Sequence, residues 1–353
     1  MSETRHERPG VYSAYDAAAV VSAAKGSKTI GVAAKAVRGT VGEVVTLTGY
    51  AAGVTAFGED ADPGMSTLLR LLFLGGAGKV VAVRVADEGT LEDYQAAFDA
   101  LAKQDVQVVL CDSAELTVQQ ALRSAVEAAS AQRRERIAVV GGDGDTVAEL
   151  VERAAGLNSE RMVLVGPDAL NSSGGRLPGV FAAAAVAAAI AAGKDPAVPL
   201  NGTELYGLGG LVEEYGDNDI DLLVRGGVTP LESVGGVISP VRGITTRTTT
   251  GGAADATWRE LTTILVVDDL IPTVRAALRS KFSRAKNNAR SRGAIRSQTI
   301  VELEKKVAAE IIDSYGEVTV TADAEDPTVC LVEFSFAVAH GLNQIYLTVH
   351  ITV

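Results

Sequence analysis

Residues Asn343 to Val353 read NQIYLTVHITV, and they constrain this chain more than any other stretch. Ile345, Leu347, Val349, Ile351 and Val353 share one face, with Tyr346, Thr348, His350 and Thr352 on the other. Unbroken period-two alternation in β-branched and aromatic residues is a strand signal. Neither Lys nor Pro guards this strand, so its edge must be covered or paired, because an open edge templates association. It either closes a sheet of its own chain, as most strands do, or is lent to a neighbouring subunit. Near the other end, Pro9-Gly10 breaks any regular element, and Val11-Tyr12-Ser13-Ala14-Tyr15 reads as a short extended arm. An isolated strand ahead of the first domain needs a partner sheet in the same way.

Between these ends, helix and strand patterns alternate. Thr29–Ala36, Glu43–Leu47 and Lys79–Ala86 read as strands, and Met65–Leu74 as a helix stopped by Gly75-Gly76-Ala77-Gly78. Helices are expected at 91–104, 118–133 and 146–155, and strands at 106–111, 136–140 and 162–165. Nearly continuous apolar strands separated by helices imply βαβ crossovers and a mainly parallel sheet. Val180–Ala192 is an Ala-rich helix, small on all faces and ended by Pro196 and Pro199. It is too short for a bilayer, which takes about 20 apolar residues. Residues 200–235 are Gly-rich and irregular, with short strands expected at 222–225 and 236–239. The Thr-rich run Gly243–Gly252 is the expected domain junction. Beyond it, helices are expected at 271–286 and 298–315, with Asn287–Gly293 a polar break. Strands at 317–322 and 328–339, joined by a turn at 323–327, complete the pattern. The fold class is therefore α/β and α+β: an α/β domain with a mainly parallel sheet, followed by a C-terminal α+β domain.

Charge decides which partners fit. The chain of 353 residues carries a formal charge of -12, so the chain as a whole does not suit polyanion binding, which demands basic surface. Yet Leu270–Val301 holds eight Lys or Arg and no Asp or Glu: Arg275, Arg279, Lys281, Arg284, Lys286, Arg290, Arg292 and Arg296. Arg275 and Arg279 fit a solvated helix face. The band as a whole fits an acidic partner surface, which would relieve its self-repulsion. It lacks the interleaved aromatics of a nucleic-acid groove.

Catalytic signals are weak. Gly75–Lys79 lacks the phosphate-loop spacing and precedes a strand. Gly141-Gly142-Asp143-Gly144-Asp145 sits where a doubly wound sheet binds ligands, but its aspartates would repel phosphate. A tight βα turn with an Asp N-cap is the expectation there. Asp268-Asp269 reads as helix N-terminal charge ahead of Pro272. Cys111 and Cys330 form no metal or disulfide pattern, and His6, His340 and His350 lack ligand spacing. The N-terminal MSETRHERPG is not a signal peptide. The other class of function kept open is a cytosolic α/β enzyme or nucleotide-binding protein with a C-terminal oligomerisation domain.

With these pieces in order, the chain resembles the contractile tail sheath family of bacteriophages, R-type bacteriocins and related injection machines. Four segments carry the resemblance. They are Arg8-Pro9-Gly10-Val11-Tyr12; Phe73-Leu74-Gly75-Gly76 running into Val80–Val85 with Arg84; Gly226-Gly227-Val228-Thr229-Pro230 followed by Val241-Arg242-Gly243-Ile244-Thr245-Thr246; and the region from Trp258 onward.

The resemblance implies a non-enzymatic structural protomer without cofactor or metal, polymerising helically around a tail tube and contracting to drive it through an envelope. It implies an N-terminal linker arm at 1–20, an outer domain at 21–242, an inner tube-facing polymerisation domain at 243–340 and a C-terminal arm at 341–353. Val11, Tyr12, Tyr15, Ile345, Tyr346, Leu347, Val349, Ile351 and Val353 would donate strands to neighbours. Lys281, Arg284, Lys286, Arg290, Arg292 and Arg296 would face the tube. The implied partners are other copies of the chain, the tail tube, baseplate and tail terminator proteins, with no nucleic acid and no membrane insertion. The implied location is a virion or phage-tail-like particle assembled in the bacterial host cytoplasm.

Overall fold

The computed structural model describes residues 28–60 and 63–343. In chain order the first elements are β1 (Thr29–Lys35), β2 (Val44–Leu47), α1 (Tyr50–Phe57), α2 (Met65–Leu74), β3 (Lys79–Val85), α3 (Leu91–Ala102), β4 (Val108–Cys111), α4 (Leu116–Ala131), β5 (Ile137–Gly141), α5 (Val147–Leu157) and β6 (Met162–Gly166). There follow β7 (Ala169–Leu170), β8 (Arg176–Leu177), α6 (Gly179–Ala192), β9 (Gly210–Leu211), α7 (Asp217–Arg225), β10 (Val228–Val234), β11 (Val237–Pro240), β12 (Thr249–Thr250) and β13 (Ala253–Ala254). The C-terminal part adds α8 (Leu261–Phe282), α9 (Ala289–Ala308), β14 (Ile312–Tyr315), β15 (Thr319–Ala322), β16 (Cys330–Glu333) and β17 (Phe336–Val338).

An eight-stranded sheet in the order β11-β10-β6-β5-β4-β1-β3-β2 forms the centre. Its inner pairs are parallel, while β2 and β11 run antiparallel at the two edges. The central strands are buried on both faces, which is why they read as unbroken apolar runs. One face packs against α2 and α6, through Leu68, Leu72, Val180 and Val186 among others. The other packs against α3, α4 and α5, through Phe98, Leu122 and Leu150. Each of these large side chains contributes about 1.5–3 kcal/mol by leaving water.

Helix α6 is nearly all core, and its alanines let neighbours come close. At Gly75, where α2 ends, an added Cβ would run into the Ala188 Cβ. Glycine there stops a helix and permits that approach at once. Among the described residues, no helix is long and apolar enough to cross a membrane.

The C-terminal part has its own small core around Val266, Leu270, Val274, Leu303, Ile312 and Val318. Helices α8 and α9 form an antiparallel pair: Lys281 near the end of one meets Gln298 of the other, and Lys306 meets Asp269. The first turns of α8, at Leu261, Ile264 and Leu265, belong to the core under the large sheet.

Several local expectations are corrected. Residues 222–225 are helical, within α7, because Leu223 and Val224 face inward while Asp217 and Asp219 occupy the favourable first turn. β10 was missed because Pro230 interrupts its pattern; it pairs with β6 only over Val228–Pro230, at the strand's start. α1, with Gly53 in its middle, gave no helical signal. α8 begins ten residues before Ile271 and carries Pro272 inside it. α9 starts at Ala289, capped by the Asn288 side chain, and stops at Ala308, so the polar break is shorter than expected. Glu310 takes a positive φ of 57°, and Ile312–Tyr315 then forms a strand rather than more helix. The run 328–339 divides into two strands, β16 and β17.

Candidate functional site

A doubly wound sheet opens its ligand crevice where the strand order reverses, here between β1 and β4 at their C-terminal ends. That crevice is filled by side chains. The Lys35 amide donates to Asp112 Oδ2 at 2.8 Å, and the Tyr94 hydroxyl donates to Asp112 Oδ1 at 2.5 Å. Burial pushes the Asp112 carboxyl up, against the pull of these hydrogen bonds, and pushes the Tyr94 hydroxyl up as well.

The glycine turn after β5 is similarly occupied. Asp168 accepts from the Gly144 amide at 2.9 Å and from the Gly179 amide, where α6 begins, at 2.8 Å. Arg176 bridges Asp168 and Asp143, and Arg153 pairs with Asp145 at 2.8 Å. The expected Asp cap is corrected: α5 is capped by Thr146, in a reciprocal box with Glu149. The aspartates of this turn hold arginines instead. Carboxylates already occupy the amides that would otherwise cradle an anion.

Asp268 and Asp269 are not helix N-terminal charges, because α8 has already run for two turns before them. Arg161, just before β6, grips Asp268 with two hydrogen bonds of 2.8 and 3.0 Å. Asp269 pairs with Lys306 on α9. Arg275, expected on a solvated face, pairs with Glu135 at 2.7 Å. The Arg161 and Glu135 pairs seam α8 to the strand ends of the large sheet, and the Lys306 pair ties it to α9. Sequence reading missed them; the two adjacent acids were the available signal, but their partners lie far away along the chain.

The remaining basic residues gather at the α8–α9 turn. Lys281 lies in the last turn of α8, Arg284 and Lys286 in the connection, and Arg290 and Arg292 in the first turn of α9. Arg292 donates to Asn287 Oδ1 at 2.9 Å, and Arg296 donates to the Val318 carbonyl at 2.8 Å. Asn287 reaches the Pro327 and Val329 carbonyls at 2.8 and 2.9 Å, tying the turn to the β15–β16 hairpin. That hairpin carries Asp323 and Asp326, whose carboxylates accept from amides of their own turn. None of these six cations forms an ion pair among the described residues. Arg290 and Arg292 also stand at a helix N-terminus with no acid in its first turn. The helix dipole disfavours cations there by about 0.3–1 kcal/mol each.

Beside this basic turn lie two small sheets. β14 pairs with β17, and β15 pairs with β16, each a two-stranded antiparallel ribbon among the described residues. Their faces are only partly covered; Leu331 in β16 is 42% exposed. Two-stranded ribbons are marginal in water without further strands or packing. The expected arm residues Val11, Tyr12, Tyr15, Ile345, Tyr346, Leu347, Val349, Ile351 and Val353 lie outside the described residues.

An α/β unit whose crevice holds Asp112, joined to an α+β unit with two-stranded ribbons and a basic turn among the described residues, describes a scaffold with surfaces for association. The phage tail sheath protein central domain matches residues 88–246, and the phage tail sheath C-terminal domain matches residues 253–352. The chain belongs to the phage tail sheath family. A tail sheath protein of Bacillus phage SP01 is 32% identical over 260 residues, covering 71% of this chain. This chain spans less than half, 44%, of that relative's length. The sheath tail protein of Listeria innocua superposes with a TM-score of 0.74 at 12% identity, covering 90% of this chain and 93% of that one. The anti-feeding prophage helical sheath in its contracted state gives a TM-score of 0.71 at 15% identity, covering 98% and 99%. These two structures share the mixed α/β fold.

Proposed function

We propose that this chain is the structural protomer of a contractile tail sheath, polymerising helically around a tail tube and contracting to drive it through a target envelope. The observation that carries this reading is the pair of sheath-domain matches, which together run from residue 88 to residue 352. Among the described residues β14–β17 and β15–β16 are two-stranded ribbons, and this supports the reading physically. Strands added from neighbouring copies would complete those ribbons by main-chain hydrogen bonding. Residues 9–15 and 343–353 are the donors in this reading. The outer domain spans 21–242, the inner domain 243–340, and the arms 1–20 and 341–353.

The inner domain lies against the tube, with Lys281, Arg284, Lys286, Arg290, Arg292 and Arg296 facing an acidic tube surface. Such a surface would offset both the mutual repulsion of these cations and the dipole penalty at α9. Baseplate and tail terminator proteins are the partners at the two ends of the cylinder. The location is a virion or phage-tail-like particle, built in the bacterial host cytoplasm. Contraction is a switch between two packings of the same subunits, with the shared strands as hinges.

Deletion of Asn343–Val353 tests the linkage. The expected product is soluble, folded monomer that forms no cylinders in negative-stain images. Unfolding of the truncated monomer would show instead that the strand belongs to its own core.

A further inference from the structure

A groove of about 490 Å³ runs beside the C-terminal half of α6, walled by Ala185, Ala189 and Ala192 and by Val198, Pro199 and Tyr206. The alanines give it depth. Val198 and Tyr206 are 61% and 50% exposed, large apolar side chains left to water at a concave site. The C-terminal end of the described chain returns to this rim. Gly341 packs so closely on Pro199 that an added Cβ would stand 2.7 Å from its Cγ. Asn201 Nδ2 donates to Asn343 Oδ1 at 2.8 Å, and Leu342 between them is 72% exposed.

Residues 344–353 continue from that point, and they contain no Lys, Arg, Asp or Glu. At about 3.3 Å per extended residue, Ile345 can be no more than about 7 Å from Asn343, and the chain arrives there from Gly341, which packs on the groove wall at Pro199. We propose that in the unassembled subunit residues 344–353 dock in this groove of their own chain, and that assembly withdraws them. The role of that withdrawal rests on the reading that the arm links subunits.

Docking there is weaker than strand addition, for a chemical reason. The groove covers apolar side chains but gives the arm little backbone pairing. The amides of α6 are spent on their own helix, and Pro196 and Pro199 have no N–H to give. An open strand edge offers a full ladder. The arm is therefore kept from casual edge-to-edge association until a neighbour presents such an edge.

The test uses the full chain at a concentration where it is monomeric, with Val198→Cys and Ile345→Cys, and Cys330→Ser to remove the half-buried native thiol. Oxidation should give a crosslink within one chain, at monomer mass. A second variant, Val198→Asp, should shorten the lag of assembly by light scattering several-fold while leaving circular dichroism unchanged. A crosslink joining two chains would overturn the proposal and assign the groove to a neighbour's arm. No crosslink between reactive thiols, or an unchanged lag in the Val198→Asp chain, would overturn it too. Polymers formed after deletion of Asn343–Val353 would sink the linkage reading, whereas the crosslink within the monomer reports on the groove alone.

Discussion

Arg161 and Asp268 grip one another through two hydrogen bonds across 107 positions of sequence, joining the start of β6 to the middle of α8. Both side chains are mostly buried, at 13% and 14% exposure. Desolvation pushes the Asp268 carboxyl up, and Arg161 counters only part of that.

Breaking this pair from one side should be costly. Asp268→Asn leaves a shielded guanidinium without its counter-ion, and stability should fall by about 3 kcal/mol. Replacing both partners, Arg161→Met with Asp268→Leu, should recover much of the loss, less one hydrogen bond to the Arg136 carbonyl. Urea unfolding of both variants checks this. Equal losses in the two would mean that the charge pairing is not what matters.

Gly75 predicts a packing effect separate from backbone strain. Its φ of -75° is ordinary for any residue, so Gly75→Ala is penalised by contact, chiefly with the Ala188 Cβ and to a lesser degree with the Leu71 carbonyl. Overpacking of this kind costs about 1–3 kcal/mol. Adding Ala188→Gly should cost less than the sum of the two single changes, because the second opens the space the first needs. Additive losses in a double-mutant cycle would refute the contact.

Arg290→Glu should separate folding from assembly. It replaces a cation with an acid in the first turn of α9, where the dipole favours negative charge by about 0.3–1 kcal/mol. Thermal stability of the monomer should rise slightly. Co-sedimentation with an acidic tube should weaken, most visibly at low salt. A variant that binds the tube as well as the parent would remove Arg290 from the tube face.

Asp112 predicts a pH dependence of definite sign. Its folded carboxyl holds a proton to higher pH than in the unfolded chain. Its contribution to stability is therefore favourable at low pH and declines as pH rises from about 4, the ordinary aspartate value, through the folded value. Asp112→Asn cannot titrate. The stability of the parent minus that of Asp112→Asn should fall over this window and level off above it, measured by urea midpoints. A difference that stays flat from pH 4 to neutrality would exclude the shift.

Legibility in the sequence varied with how local the cause was. Met65–Leu74 was read to the residue, because its apolar spacing and the glycines after it are contiguous. The buried strands β3, β5 and β6 were legible from their unbroken apolar runs. α7 was not, since four residues cannot distinguish a helix turn from a strand. At the basic turn the cations were visible as a run. What was not visible was that Arg275 belongs to Glu135 while Lys281 meets Gln298 and Arg292 meets Asn287, which reaches the β15–β16 hairpin.

By itself the sequence determined the α/β alternation, the acidic whole with one basic band, and an alternating apolar stretch at 343–353 in need of cover. Each is a property of neighbours along the chain, where periodicity and charge are written directly. The tertiary structure alone decided that β1 lies between β3 and β4, that Asp112 fills the resulting crevice, and that Asp268 answers Arg161 instead of capping a helix. Those outcomes depend on which distant surfaces meet once apolar faces are buried, and strand spacing or helix period carries no record of the partner.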